Sequence, residues 1–162
     1  MSNIENSPRN SETDESTNSA TPKTKKPYAA RAMIIKNKQI LFIHHKFKNP
    51  SMVGKWTFPG GRLDAHETDP LVALHREIDE ELSTEIEIVG ELGCFYNRSG
   101  LEYWVFVARP LGPIGPLNKD EVREMAWLMP AEVYELYAKD KLQFGFEMDA
   151  VLAYLKKFSK AF

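Results

Sequence analysis

Between Gly60 and Leu82 the chain reads GGRLDAHETDPLVALHREIDEEL, and Glu77, Glu80 and Glu81 crowd three carboxylates beside Arg76. On a helix turning about 100° per residue, the three acids fall within an arc of roughly 100°. Leu71, Leu74, Ile78 and Leu82 form the adjoining apolar arc, so the acids lie at the rim of a buried face. Like charges at this spacing destabilise a helix by about 0.2–0.5 kcal/mol per pair, and by more where water is partly excluded. A divalent cation is the simplest compensation. No Cys/His spacing offers soft ligands, and oxygen donors alone select a hard ion, Mg²⁺ first and Mn²⁺ second. Mg²⁺ keeps several waters and is commonly completed by phosphates, and no EF-hand loop argues for calcium. The pattern therefore suits diphosphate chemistry, where a metal neutralises phosphate charge and lowers the pKa of bound water.

The flanking sequence supplies elements to hold these acids. Asp69 is a natural N-cap and Pro70 fits the first helical position, where its missing N–H costs nothing; the helix then runs to about Ser83. Ahead of it, Trp56, Phe58 and Pro59 lead into Gly60-Gly61, a pair that lets backbone approach a neighbour or ligand closely. Further upstream, AARAMII and QILFIHH are strand-length apolar runs separated by Lys36-Asn37-Lys38, a hairpin pattern. Downstream, TEIEIVG, LGCFY and EYWVFVA read as strands, followed by a turn-rich stretch from Arg109 to Lys119, a strand near Met125 to Met129, and helices over 131–138 and 146–158. Met148, Val151, Leu152 and Leu155 have core spacing in the last helix. The expected fold is α+β, an α/β/α sandwich with a mixed sheet between helices.

Taken together, Gly61, five residues, Glu67, then Arg76-Glu77-Ile78-Asp79-Glu80-Glu81 resembles the signature of the Nudix hydrolases, and the WTFPGG lead-in is similar to that family too. The resemblance is dense over 54–82 and looser from 28 to 158. It implies a metal-dependent pyrophosphohydrolase in which water attacks a phosphorus of a nucleoside diphosphate linked to another group. The substrate is then a nucleoside triphosphate, oxidised nucleotides included, or a nucleotide sugar or ADP-ribose type of molecule. Position by position it implies Glu77, Glu80 and Glu81 as ligands of Mg²⁺ or Mn²⁺, with the Gly61 carbonyl. Arg76 orients either Glu80 at i+4 or Glu67 across the loop. The family often adds an acid from a later loop, as metal ligand or proton acceptor; Glu121 is the first choice and Glu124 the competitor. The catalytic set is therefore Glu67, Arg76, Glu80 and Glu121, and Lys55, Phe58, Gly60 and Arg62 are the candidates for substrate contact. Two departures stand out. Eight residues separate Glu67 from Arg76, one more than usual, and Ser83-Thr84 replaces the closing glycine and aliphatic residue. They motivate an alternative reading, a non-catalytic nucleotide-binding or regulatory module on the same fold.

Composition sets the outer limits. A chain of 162 residues suits one domain. Its 21 basic and 23 acidic residues give a net charge of -2, which does not suggest a nucleic-acid or membrane-surface binder. A single cysteine, Cys94, excludes an internal disulfide and fits a reducing interior; in its apolar strand it reads as an inert, buried thiol. With no secretory signal and no spanning run, the expectation is a soluble, cytoplasmic protein acting on a small nucleotide derivative, with a homodimer and a monomer both left open. Residues 1–27, polar and without apolar periodicity, read as a disordered tail ahead of a domain over 28–162; Lys23, Lys25 and Lys26 there are taken as solvated. Loops 46–55 and 109–119 are where binding determinants are expected, although Lys46, Lys48 and Lys55 are more simply solvated. Trp56, Trp127, His44 and His45 carry no assigned chemistry, and His66 and His75 are placed on the surface.

Overall fold

Strand β1 (Ala29–Lys36) is the centre on which the fold is assembled, because its apolar residues alternate between two cores. Ala29 and Met33 enter one core, and Ala30, Ala32 and Ile34 enter the other, all fully buried. A strand covered on both faces needs this near-continuous apolar run. The computed structural model describes residues 26–46 and 50–158. Most of the expected tail, together with Lys23, Lys25 and Lys48, lies outside them. Strands β2 (Gln39–His45), β3 (Trp56–Thr57), β4 (Gly60–Arg62), β5 (Ile86–Tyr96), β6 (Glu102–Pro110) and β7 (Val122–Leu128) complete the sheet.

The sheet is mixed. β1 runs parallel to β6, from Ala29 opposite Tyr103 to Ile34 opposite Ala108, and antiparallel to β4 and to the start of β2. β2 carries β3 and β7, and β5 lies outside β6. Helix α1 (Pro70–Leu82) covers one face with Leu74, Ile78 and Leu82. Helices α2 (Pro130–Ala138) and α3 (Phe146–Phe158) cover the other with Val133, Phe146, Met148 and Val151. This is the layered arrangement the sequence pattern predicts. No described helix is long and apolar enough to cross a membrane.

Several details differ from the reading of the sequence. TEIEIVG and LGCFY form one strand, β5, whose pairing with β6 shifts register between Ile88 and Gly90 and again between Glu91 and Gly93; bulges let the strand bend where alternation breaks. β7 starts at Val122 rather than near Met125. Leu152 is 55% exposed, on the outer side of α3. Cys94 is exposed, not buried, and its thiol is nevertheless held up to about 12 by partial desolvation and the neighbouring Glu102.

The N-cap works as expected, with Asp69 Oδ1 accepting the Leu71 N–H at 2.9 Å. The other end of α1 solves the missing glycine differently. Ser83 itself takes the left-handed conformation (φ 50°, ψ 45°), and its hydroxyl donates to the Pro116 carbonyl at 2.8 Å. Beside it, the Gly115 and Asn118 N–H groups donate to the carbonyls of Leu82 and Glu81, at 2.7 and 3.0 Å. The long β6–β7 connection is thus fastened onto the open carbonyl end of α1, where such groups need partners.

A left-handed non-glycine residue costs about 1 kcal/mol or more, and the Ser83 hydroxyl bond returns a similar amount, about 0.5–1.5 kcal/mol. Ser83→Gly is therefore expected to be close to wild type in urea denaturation. Ser83→Ala, which keeps the strain and loses the bond, is expected to be about 1 kcal/mol less stable.

Candidate active site

Arg76, on the second turn of α1, gathers the acids that the sequence singles out. Its Nε and Nη2 donate to the two oxygens of Glu67 at 2.9 and 2.8 Å, a bidentate pair. Its Nη1 donates to Glu77 at 3.0 Å and to Glu80 at 3.3 Å, and Nη2 also reaches the Arg62 carbonyl at 3.3 Å. Both alternatives left open for Arg76 are therefore realised together. The extra residue before the helix leaves this geometry intact, because it lies in the Asp64–Asp69 loop and α1 starts afresh at Asp69.

That loop has a clamp that sequence reasoning missed. Lys26, assigned to the solvated tail, donates from Nζ to the carbonyls of Asp64, Ala65 and Glu67 at 3.0, 2.9 and 2.8 Å. The Asp64 N–H donates to Glu67 at 2.7 Å. Glu67 is consequently held well below its usual range, at about 2, first by the Arg76 hydrogen bonds and then by the Asp64 N–H. Its charge is committed to Arg76.

Glu81 is tied down differently. It is 2% exposed; one oxygen accepts the Gly60 N–H at 3.0 Å and the other meets His45 Nε2 at 2.8 Å. His45 had no role in the sequence reading, since nothing in the alternation of β2 reveals an acid 36 positions away. The tie joins α1 to β2 and to the glycine pair. Among the described residues, the acids whose oxygens converge within 4.8 Å of one another are Glu77, Glu80 and Glu121. Glu121 belongs to the β6–β7 connection fastened to the end of α1, and its carbonyl accepts the Lys46 N–H at 2.8 Å. Burial and the charges of Glu81 and Glu80 raise its pKa; burial and Glu81 raise that of Glu77. The competitor Glu124 points elsewhere, 3.9 Å from His44 Nε2.

The glycine pair explains why no side chain stands between these acids and β1. A Cβ on Gly60, at φ +136°, would lie 2.3 Å from the Ala30 carbonyl oxygen, whereas a Cβ on Gly61 would lie 2.5 Å from the Glu77 carboxyl carbon. The first glycine is demanded by the sheet and the second leaves space for a carboxylate. Three carboxylates whose oxygens converge, with one arginine shared between Glu77 and Glu80, fit a hard divalent cation. Glu77, Glu80 and Glu121 are the residues placed to hold one.

A cleft of about 380 Å³ opens here, lined by Gly60, Gly61, Arg62, Glu77, Glu81 and Glu121, and also by Arg31 and Gln143. A larger hollow beside Tyr28, Leu63 and Tyr96 lacks these acids. Of the candidates for substrate contact, Gly60 and Arg62 line the cleft. Phe58 does not: its ring is fully buried against Phe42, with centroids 4.9 Å apart, and presents no face to a ligand. Lys55 turns its ammonium to Asp140 at 3.5 Å instead. Trp56 packs on the buried His44 ring, His66 and His75 are exposed, and Trp127 packs at the edge of one core.

The NUDIX domain profile matches residues 25–148, and no curated protein matches the sequence. Among solved structures, a NUDIX hydrolase from Nitrosomonas europaea superposes with a TM-score of 0.66 at 19% identity, covering 84% of this chain and 74% of that one. A UDP-X diphosphatase superposes at 0.63 and 15% identity over 85% of this chain and 65% of that one, so the chain spans just under two thirds of that protein. An Ap4A hydrolase from C. elegans gives 0.60 and 20% identity, over 82% and 96%. At such identities the likeness is one of fold.

Two outcomes follow. Gly60→Ala is expected to destabilise the fold by roughly 1–3 kcal/mol or more in denaturant titration, whereas Gly61→Ala is expected to leave stability near wild type and weaken divalent-ion binding measured by calorimetry, because only a side-chain carboxylate has to move. Glu67, lowered from 4.5 to about 2, contributes stability that is present above pH 4.5 and lost as pH falls toward 2. In metal-free protein the denaturation midpoints of wild type and Glu67→Gln are expected to differ at pH 6 and to converge by about pH 2.

Proposed function

The chain belongs to the NUDIX family, and we propose that it hydrolyses the pyrophosphate linkage of a nucleoside diphosphate carrying a further group. The observation that carries this reading is the convergence of Glu77, Glu80 and Glu121 within 4.8 Å, beside a glycine whose missing Cβ makes room for Glu77. The similar structures are named for different substrates, a UDP derivative and Ap4A among them; what those substrates share is a phosphoanhydride.

A divalent cation at this site, Mg²⁺ or Mn²⁺, neutralises phosphate charge and makes water a better nucleophile. The residues of the chain supply position and proton transfer. Glu77 and Glu80, aimed by Arg76, fix the helix side of the cation site, and the Gly61 carbonyl is available next to them. Glu81 is the anchor that sets the helix against β4, through Gly60 and His45. Glu121 enters on a loop and brings to the cleft a carboxylate that can accept a proton. It takes the proton as the water oxygen bonds to phosphorus; the bond from that phosphorus to the bridging oxygen breaks, and two phosphate-ended products leave. Arg62, exposed at the cleft wall, meets phosphate charge.

The test is product analysis on nucleoside triphosphates, nucleotide sugars and dinucleoside polyphosphates with Mg²⁺ or Mn²⁺. Release of a nucleoside monophosphate from at least one class is expected, and a folded protein that turns over none of them refutes the proposal. Glu80→Gln is expected to lower kcat by about two orders of magnitude while the thermal midpoint holds or rises, since one of three like charges is removed.

A further inference from the structure

We propose that Arg31 and Gln143 form a base-reading subsite that selects nucleotides with a keto base, guanine or uracil in type, over those with an amino edge. The inference rests on the nucleotide reading above and adds to it which nucleotide is recognised.

Arg31 is only 6% exposed and Gln143 4%, and both line the cleft that holds the acids. The sequence hides Arg31 inside an apolar strand, at a position whose neighbours two residues away, Ala29 and Met33, are core. One guanidinium nitrogen, Nη1, donates to the Phe58 carbonyl at 2.9 Å. The rings of Tyr103 and Phe144, themselves 4.8 Å apart, lie to one side of the group, with centroids 5.7 and 5.4 Å from Cζ. The buried Nε–H finds no hydrogen-bond partner among the described residues, and neither does the buried Oε1 of Gln143. No carboxylate among the described residues pairs with Arg31.

Such an arrangement is costly without a ligand. A buried cation lacking an anionic partner, and a buried amide oxygen lacking a donor, each forgo solvation that folding does not replace. Neither Arg31 Nε nor Gln143 Oε1 bonds to the helices or the sheet, and both residues line the same cleft. A ligand that satisfies both must offer an acceptor to Arg31 and a donor to Gln143. A phosphate has acceptors only and leaves Gln143 unmet. A lactam edge has both, as a ring carbonyl beside a ring N–H. In adenine the projecting group is the amino donor and the acceptor is a recessed ring nitrogen, and in cytosine the ring carbonyl has no ring N–H beside it. The Arg31 Nε–H is almost fully buried, so a projecting oxygen reaches it more readily than a recessed nitrogen. Arginine donating to a base carbonyl is also a recurrent means of reading guanine.

The experiment is calorimetric titration of the full chain, without metal, with GMP, UMP, AMP, CMP and inorganic phosphate. Binding of GMP or UMP at least about tenfold tighter than AMP and CMP is expected, with phosphate far weaker. Arg31→Met and Gln143→Met are each expected to erase that margin while the thermal midpoint stays or rises, as removal of an unpaired buried charge allows. Gln143→Met serves alone if Arg31→Met does not fold. Equal affinity for the four nucleotides, no nucleotide binding, phosphate as strong as GMP and UMP, or a margin that survives Gln143→Met overturns the proposal. Because no metal or turnover is involved, hydrolysis without base selectivity sinks this inference alone, and base selectivity without hydrolysis sinks only the proposed activity.

Discussion

One guanidinium keeps a set of mutually repelling carboxylates in register. Arg76 holds Glu67 by two parallel bonds and touches Glu77 and Glu80 with its remaining nitrogen. Without it, Glu77 and Glu80 on one rim of α1 would splay apart. With it, Glu77 and Glu80 point toward Glu121 while Glu67, its charge satisfied, serves as the fixed post. A planar fork with several donors can serve three carboxylates at once, which an ammonium at the end of a flexible stem does poorly.

The rest of the architecture serves that register. The Asp64–Asp69 loop absorbs the additional residue because its shape is imposed from outside, by Lys26 reaching three of its carbonyls. At the far end of α1, Ser83 and the β6–β7 connection occupy the open carbonyls. The same fastening delivers Glu121 to the helix. Capping a helix and completing an acid cluster are here one construction. The features that favoured a non-catalytic module, the longer spacing and the absent glycine, therefore leave the acid cluster intact.

The cleft also joins two kinds of unmet electrostatic need. Near α1 the excess is negative, with Glu77 and Glu121 raised in pKa by burial and by neighbouring acids. At Arg31 and Gln143 the unmet groups are a cation and a neutral acceptor. A cation, a phosphate chain and a polar ring would answer these in turn, which is why the proposed substrate class and the proposed base preference arise from one surface.

The sequence by itself determined the layers, the helix start at Asp69-Pro70 and the acid cluster with its arginine, because each depends on periodicity or on neighbours a few positions apart. It also determined the family, since the signature lies in one short stretch. Tertiary structure alone decided the partners that lie far apart along the chain. His45 meets Glu81 across 36 positions, Lys26 reaches a loop some 40 residues on, and Glu121 rather than Glu124 turns to the cluster. It also withdrew Phe58 and Lys55 from the cleft, and it placed Arg31, hidden in an apolar strand, on its wall. The physical reason is common to all of these. Spacing along a strand or helix fixes the face on which a side chain emerges, but what stands opposite that face is set by sheet order and by where the loops are tied down.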